Sequence, residues 1–471
     1  MQCTRILPSE PMTDTMPTPT ANPPLAFDLL LRDAIFLTAV PEQAECRGWC
    51  LGISDGCITW FDREPPVHYT ASRELRLPGH FVTPGFVNPH VHSILSMVRG
   101  VAVDLGFAPS YTPGIPKGTE VNPEQARALA RLGGLEAMLF GSTLVGDNFV
   151  HADTTTEAML ELGLRLAPSW RIHDVDFAQV AHGEWNYDSA IGDRTLGAGL
   201  ALHDRWRDHP RVYVNLAAHA ADTCSDGFLA RIAQEAQARD LVVSTHLGQS
   251  QVEVERVRLR TGKTSVQVLE EAGLLNHRLM GGHCIYLTPD DLSRMAGAGA
   301  HAVHIPKCNI TSGRMANTPA ILRAGVNMAL ATDTQHGDMV ELMRWALNTA
   351  RVQEGGVSDE FQPRHVFHMA TMGGAKALGL EHLIGSIEVG KRADLVLFDA
   401  NRPHLVPHVN PLGNLVHTGQ GRDVSMVIID GEIVVEQGRP TKVDMEQVCA
   451  EAETACRQLW QAHGKQYWKP Q

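Results

Sequence analysis

No stretch of the chain holds the roughly 18–20 uncharged apolar residues of a membrane span, which argues against a bilayer-embedded role. The N-terminus lacks the apolar core of a secretion signal, and six prolines in its first 25 residues read as a flexible tail. Positive charge is short: 40 Lys+Arg against 53 Asp+Glu leave −13, so nothing draws the chain generically to nucleic acid or anionic lipid. Lysine is the scarcest charged residue, with eight in 471 residues and none between Lys117 and Lys263. The nine cysteines are odd in number and scattered, which reads as reduced thiols in a cytoplasm. Cys46, Cys50 and Cys57 cluster, but no second pair completes a zinc knuckle, and they read as small buried residues. A hydrophobic share of 44% excludes disorder, and 42 glycines with 27 prolines exclude a coiled coil.

Histidine is abundant at 23, and several histidines end short apolar runs. FVTPGFVNPH ends at His90, DLVVSTH at His246, RLMGGH at His283 and AHAVH at His304, while NMALATD ends the same way at Asp333. Such non-alternating runs suit strands buried on both faces of a parallel sheet. Helical patterns lie between them, at 123–141, 154–163, 226–240, 265–275, 288–299 and 317–325. Repeated strand–helix units with polar strand ends predict an α/β fold, a (β/α)8 TIM barrel with its site at the C-terminal strand ends. Residues 26–82 and 383–442 read instead as short strands and turns, with a hairpin at IIDGEIVV. The expected organisation is a tail at 1–25, a small β-sandwich built from 26–82 and 383–442, a barrel at 83–382, and a C-terminal helix and tail at 443–471.

His90 and His92 stand two apart on a strand, so both side chains point to one side and suit chelation. His246, His283 and Asp333 follow at intervals of 156, 37 and 50 residues, each one or more strand–helix units. Three histidines and a carboxylate, with one position open for water, describe a hydrolytic metal site.

The runs TPGFVNPHVHS, THLGQS, GGHCIYL, ALATDT and GSIEVGKRADLVLFD resemble the amidohydrolase superfamily. The nearest branch holds the cytosine and adenosine-type deaminases and the triazine chlorohydrolases; phenylurea and molinate-type thiocarbamate hydrolases belong to the same broad branch. The resemblance spans about residues 27–440. It implies His90, His92, His246 and Asp333 as ligands of one divalent transition metal per subunit, with His283 beside the reacting water and Asp333 also catalytic. Binuclear relatives use a carboxylated lysine on a middle strand, and this chain has no lysine there. Zinc is the default ion, and iron and cobalt accept the same ligands. HIPKCN, ending at Asn309, is similar to the family's HNPxSN, with Ile305 and Cys308 as departures. HAADTCS places His219 where the family's histidine faces substrate. Trp170, at the end of another run, and His336, three residues past Asp333, are further substrate-side candidates. The implied partners are a small-molecule substrate and further copies of the chain in a homo-oligomer.

Gln249 is the main departure. Deaminases of this branch carry glutamate there to shuttle a proton, and glutamine does not titrate. This favours attack on the carbonyl of an amide, urea, carbamate or thiocarbamate. The alternative is deamination or dechlorination of a purine, pyrimidine or s-triazine ring, with His219 or His283 moving the proton.

Overall fold

The computed structural model describes residues 25–464 apart from 106–111, 113, 181 and 335. All but Leu25 of the tail read from residues 1–25 lies outside the described residues, as does the chain end from 465. Five strands open the fold: β1 (Leu25–Leu37), β2 (Glu45–Ser54), β3 (Cys57–Asp62), β4 (Tyr69–Arg76) and β5 (His80–Pro84).

The barrel follows in β6 (Phe86–Val91), β7 (Ser142–Phe149), β8 (Arg165–Leu166), β9 (Ser169–Ile172), β10 (Leu216–Ala220), β11 (Val243–Leu247), β12 (Leu279–His283), β13 (His301–His304) and β14 (Asn327–Leu330). These run parallel in the order β14-β13-β12-β11-β10-β9-β7-β6, with β8 beside β7. A parallel bridge between Val91 and Asp333 draws the first and last strands together. Every residue of β6, β7, β10, β11 and β12 is buried, as a sheet covered by side chains inside and helices outside requires.

The chain then returns to the first sheet as β15 (Leu395–Asp399), β16 (Val424–Ile429), β17 (Glu432–Glu436) and β18 (Arg439–Pro440). β15 pairs antiparallel with β5, Val82 opposite Leu397, so both ends of the chain share one nine-stranded sheet. Alternation along β15 divides its side chains. Leu395 and Leu397 join Leu31, Leu51 and Ile428 in the sheet's own core, whereas Val396 and Phe398 join Phe81 and Phe86 in the core shared with the barrel. The Asp430-Gly431 turn of the β16–β17 hairpin has φ of +52° and +75°, the conformation that favours Asp-Gly.

The helices sit where the periodicity places them: Pro123–Leu139, Ala152–Leu160, Asp226–Arg239, Ser265–Glu271, Pro289–Ala298 and Thr318–Arg323. Asn122 with Gln125, and Thr288 with Asp291, close reciprocal capping boxes at two of these starts. In the first helix, a Cβ on Gly133 would lie 3.0 Å from the Cβ of Ser93, and one on Gly134 2.7 Å from Met159. Close packing on the barrel thus accounts for two residues that each cost a helix about 1 kcal/mol in propensity. The run RVYVNLAA behaves differently from a full strand: β10 starts only at Leu216, and Val212 makes a single bridge to Leu166.

Arg165 on β8 ties barrel to sheet. Its guanidinium donates to both oxygens of Asp394, at 2.8 and 3.1 Å, and lies 2.5 Å from Asp430. At its other edge the barrel is covered by the helix Met445–His463, whose Trp460 Nε1 donates to the carbonyl of Met97 at 2.8 Å. Among the described residues no helix is long and apolar enough to cross a membrane.

Candidate metal centre

β6 carries His90 and the residue that holds the last barrel strand, and His92 follows one residue past its end. Asn88 donates to the Thr332 hydroxyl at 2.8 Å and accepts the Thr332 N–H at 3.0 Å. One residue on, the Asp333 N–H donates to the His90 carbonyl at 3.0 Å, and the His92 N–H donates to the Asp333 carbonyl at 2.9 Å. Asp333 lies three residues past β14 and takes φ of +62°, a conformation this clamp sustains.

His90, His92 and His246 meet with one ring nitrogen each inside a 4.8 Å span, all three buried. Their orientation is built in. His92 Nδ1 donates to the Asn148 carbonyl at the end of β7 at 2.5 Å, and His246 Nδ1 donates to the His219 carbonyl at 2.7 Å. Both Nε2 atoms therefore carry lone pairs, and they lie 3.3 Å apart. His90 Nε2 is buried and has no hydrogen-bond partner among the described residues. Asp333 Oδ1 lies 3.4 Å from His92 Nε2, and Asp333 Oδ2 lies 4.0 Å from His283 Nε2. His283 Nδ1 donates to Asn309 Oδ1 at 2.9 Å, which leaves its Nε2 as a base.

Burial dominates the electrostatics. It pushes His92 and His283 down to about 3 and His246 to about 4, and holds His90 well below its usual value. The rings are thus neutral and nucleophilic at pH 7. Burial pushes Asp333 up to about 7. Three converging imidazole lone pairs beside a carboxylate fit a divalent cation of the zinc type, which would relieve the lone-pair crowding and the orphaned nitrogen of His90.

The remaining candidates surround this cluster unevenly. Gln249 is buried just after β11, and its N–H donates to Glu253 Oε2 at 2.8 Å. The His219 ring stands 4.8 Å from that of His246, with Nδ1 2.8 Å from the Thr223 hydroxyl. Asn309 Nδ2 is buried without a protein acceptor. Trp170 lies further out, on a cavity of about 290 Å3 shared with Arg171, His173 and Phe177. His336 lines a separate small cavity together with Asp333, Ser96 and Glu136.

Sequence reasoning passed over three neighbours. Arg171 is 3% exposed and packs its guanidinium over Phe149 and Phe177, 4.8 and 4.5 Å from the ring centres. A charge inside the run PSWRIH was the available signal. Phe177 sets its edge against His219 at 5.0 Å, from the start of a short helix, Phe177–Val180, that carries no motif. Glu253 accepts N–H bonds from Gly248 and Gln249 and a hydroxyl bond from Ser265, and its position three residues after the helix-capping Ser250 was the clue.

Known proteins agree with this architecture. A model described as the amidohydrolase family matches residues 81–434. The chain is 32% identical over 403 residues to a 5-methylthioadenosine/S-adenosylhomocysteine deaminase of Desulforudis audaxviator, covering 84% of this chain and 90% of the relative. It is 29% identical over 444 residues to a 5'-deoxyadenosine deaminase of Methanosarcina acetivorans, covering 92% and 98%. An adenosine deaminase from Xanthomonas campestris, solved with bound zinc, superposes with a TM-score of 0.83 at 26% identity, over 93% of this chain and 100% of that one. A zinc-bound atrazine chlorohydrolase from Arthrobacter aurescens shares the fold, at a TM-score of 0.81 and 21% identity over 91% and 100%.

Proposed function

The chain belongs to the amidohydrolase family, enzymes that hydrolyse carbon–nitrogen bonds other than peptide bonds, and from that premise we propose that it is a metal-dependent aminohydrolase of an aminated heteroaromatic ring, of the adenosine type. The overall reaction is R–NH2 + H2O → R–OH + NH3. The observation that carries the reading is the buried cluster of His90, His92 and His246 with Asp333 and His283 beside it, in a chain whose relatives are named as deaminases.

His90, His92, His246 and Asp333 would hold the ion. When bound, a divalent ion of this class lowers the pKa of water and polarises the carbon under attack. His283, fixed through Nδ1 by Asn309, presents Nε2 as acceptor for the proton of the attacking water. Asp333 takes up a proton on one carboxylate oxygen and returns it to the departing amine. Asn309 Nδ2 is a donor left for the substrate. Gln249 can donate to a ring nitrogen but cannot protonate it, so the proton that His283 takes from the water is the one delivered to that nitrogen, directly or through His219 as a relay.

Gln249 also favours the second reading, hydrolysis of an amide, urea or carbamate carbonyl, which needs no ring protonation. A substrate panel separates the two. Ammonia release from 5'-deoxyadenosine, 5-methylthioadenosine or a related ring amine by the zinc-loaded protein supports the first. Turnover confined to ureas, carbamates or amides overturns it.

A further inference from the structure

Behind the metal centre, between the barrel and the helix Pro123–Leu139, lies a second polar space. It is a cavity of about 10 Å3, the size of one water-sized molecule. Asp333, Ser96, His336, Glu136, Arg99 and Gly133 line it. Its polar walls are under-satisfied. Ser96 is 8% exposed, and among the described residues neither its hydroxyl nor the two buried ring nitrogens of His336 have a hydrogen-bond partner. Glu136 is ion-paired with Arg99, whose side chain is 42% exposed, so this pair stands between the cavity and solvent. Its helix wall is kept back by Gly133, where even a methyl group would press on Ser93.

We propose that this chamber receives the ammonia that the reaction releases at Asp333, and passes it toward the Arg99–Glu136 pair. The inference rests on the aminohydrolase reading. Ammonia is the one product small enough to enter. As ammonia or ammonium it offers three or four N–H donors, and the walls present acceptors: the Ser96 hydroxyl, an imidazole nitrogen of His336 and the carboxylates of Glu136 and Asp333. The heterocyclic product is far too large and leaves by the substrate pocket. Two products then leave by different routes, and ammonium binding does not compete with the ring substrate.

The experiment has two arms on the zinc-loaded protein. In the first, crystals are soaked in thallous acetate, a cation of ammonium size with a strong anomalous signal; wild type shows a peak between Ser96 and His336, and Ser96→Val, which fills the space, shows none. In the second, ammonia release from a ring amine is followed against added ammonium chloride. Wild type shows inhibition non-competitive with the ring amine and absent with methylammonium or sodium. Ser96→Val raises the ammonium inhibition constant at least tenfold with KM unchanged, and Ser96→Ala, which keeps the space, moves it less. Ammonia release without a thallium peak, or with inhibition equal in wild type and Ser96→Val, overturns the chamber and leaves the aminohydrolase reading standing. No ammonia release from any ring amine overturns both.

Discussion

Glu253 Oε2 accepts the backbone N–H of Gln249 at 2.8 Å, so the first carboxylate after β11, in the opening turn of the helix Gln251–Thr261, faces the main chain behind the site. With Gly248 N–H at 2.9 Å and the Ser265 hydroxyl at 2.7 Å it is fully engaged, and it does not stand in for the glutamate that position 249 lacks. Gln249→Glu is therefore expected to raise kcat/KM on a ring amine, on the order of 10²-fold, by adding a titrating group at the ring nitrogen. On a carbonyl substrate the added negative charge opposes the developing oxyanion, and kcat falls. Rates of both variants across pH 6–9 decide. A loss of ring-amine activity in Gln249→Glu would show that the neutral amide is itself required.

The ligand set predicts about one transition metal per subunit. His92→Ala removes half of the His90–His92 pair and should lose most of the metal and nearly all activity. Elemental analysis reads the stoichiometry. Two tightly held ions per chain, with activity tracking the second, would contradict the single site.

His283→Ala should keep the metal and lower kcat by 10²-fold or more, since its Nε2 handles a proton rather than anchoring the cluster. Asn309→Ala should act in the same direction but less, because it frees the ring to turn. A kcat for His283→Ala within about tenfold of wild type, at full metal content, would remove His283 from the mechanism.

Arg165→Ala strands Asp394, whose side chain is 2% exposed, beside the partly compensated Asp430. Breaking such a buried pair costs about 3–5 kcal/mol. Denaturant unfolding of the two proteins measures the change. A cost below about 1 kcal/mol would mean that the barrel–sheet junction draws its stability from apolar packing alone.

Stability of the metal-free protein should rise with pH between about 4 and 6.5. Eight histidines, the buried His90, His92, His219, His246, His283 and His304 and the half-buried His173 and His336, have folded values depressed by desolvation. In that window the unfolded chain binds their protons and the folded chain does not, so each favours the folded state more as pH rises. Seven carboxylates raised by burial, Glu136, Asp147, Asp174, Asp222, Glu253, Asp333 and Asp338, act in the opposite sense and are outnumbered by the eight histidines. Unfolding midpoints at pH 4.5, 5.5 and 6.5 should increase in that order, and a flat or falling series would refute the balance.

Local patterning determined much of this protein. Apolar runs ending in histidine, capped helical periods between them and an Asp-Gly hairpin near the end are short-range signals, and each became the element it suggested. The sequence also set His90 beside His92, although the strand ends at Val91 and the turn that follows, rather than strand alternation, brings the two rings to one cluster. What depends on distant segments meeting was decided by the tertiary structure. Asp333 reaches the histidines only because Asn88, 244 residues from Thr332, clamps the last strand against the first. The tautomers of His92 and His246 follow from carbonyls 56 and 27 residues away. Arg171 reads in the sequence as one charge in an apolar run, and the polar chamber behind Asp333 exists only where helix, strand end and loop pack together. Period and propensity act over a few residues, whereas desolvation and hydrogen-bond closure act between surfaces that only the folded chain brings together.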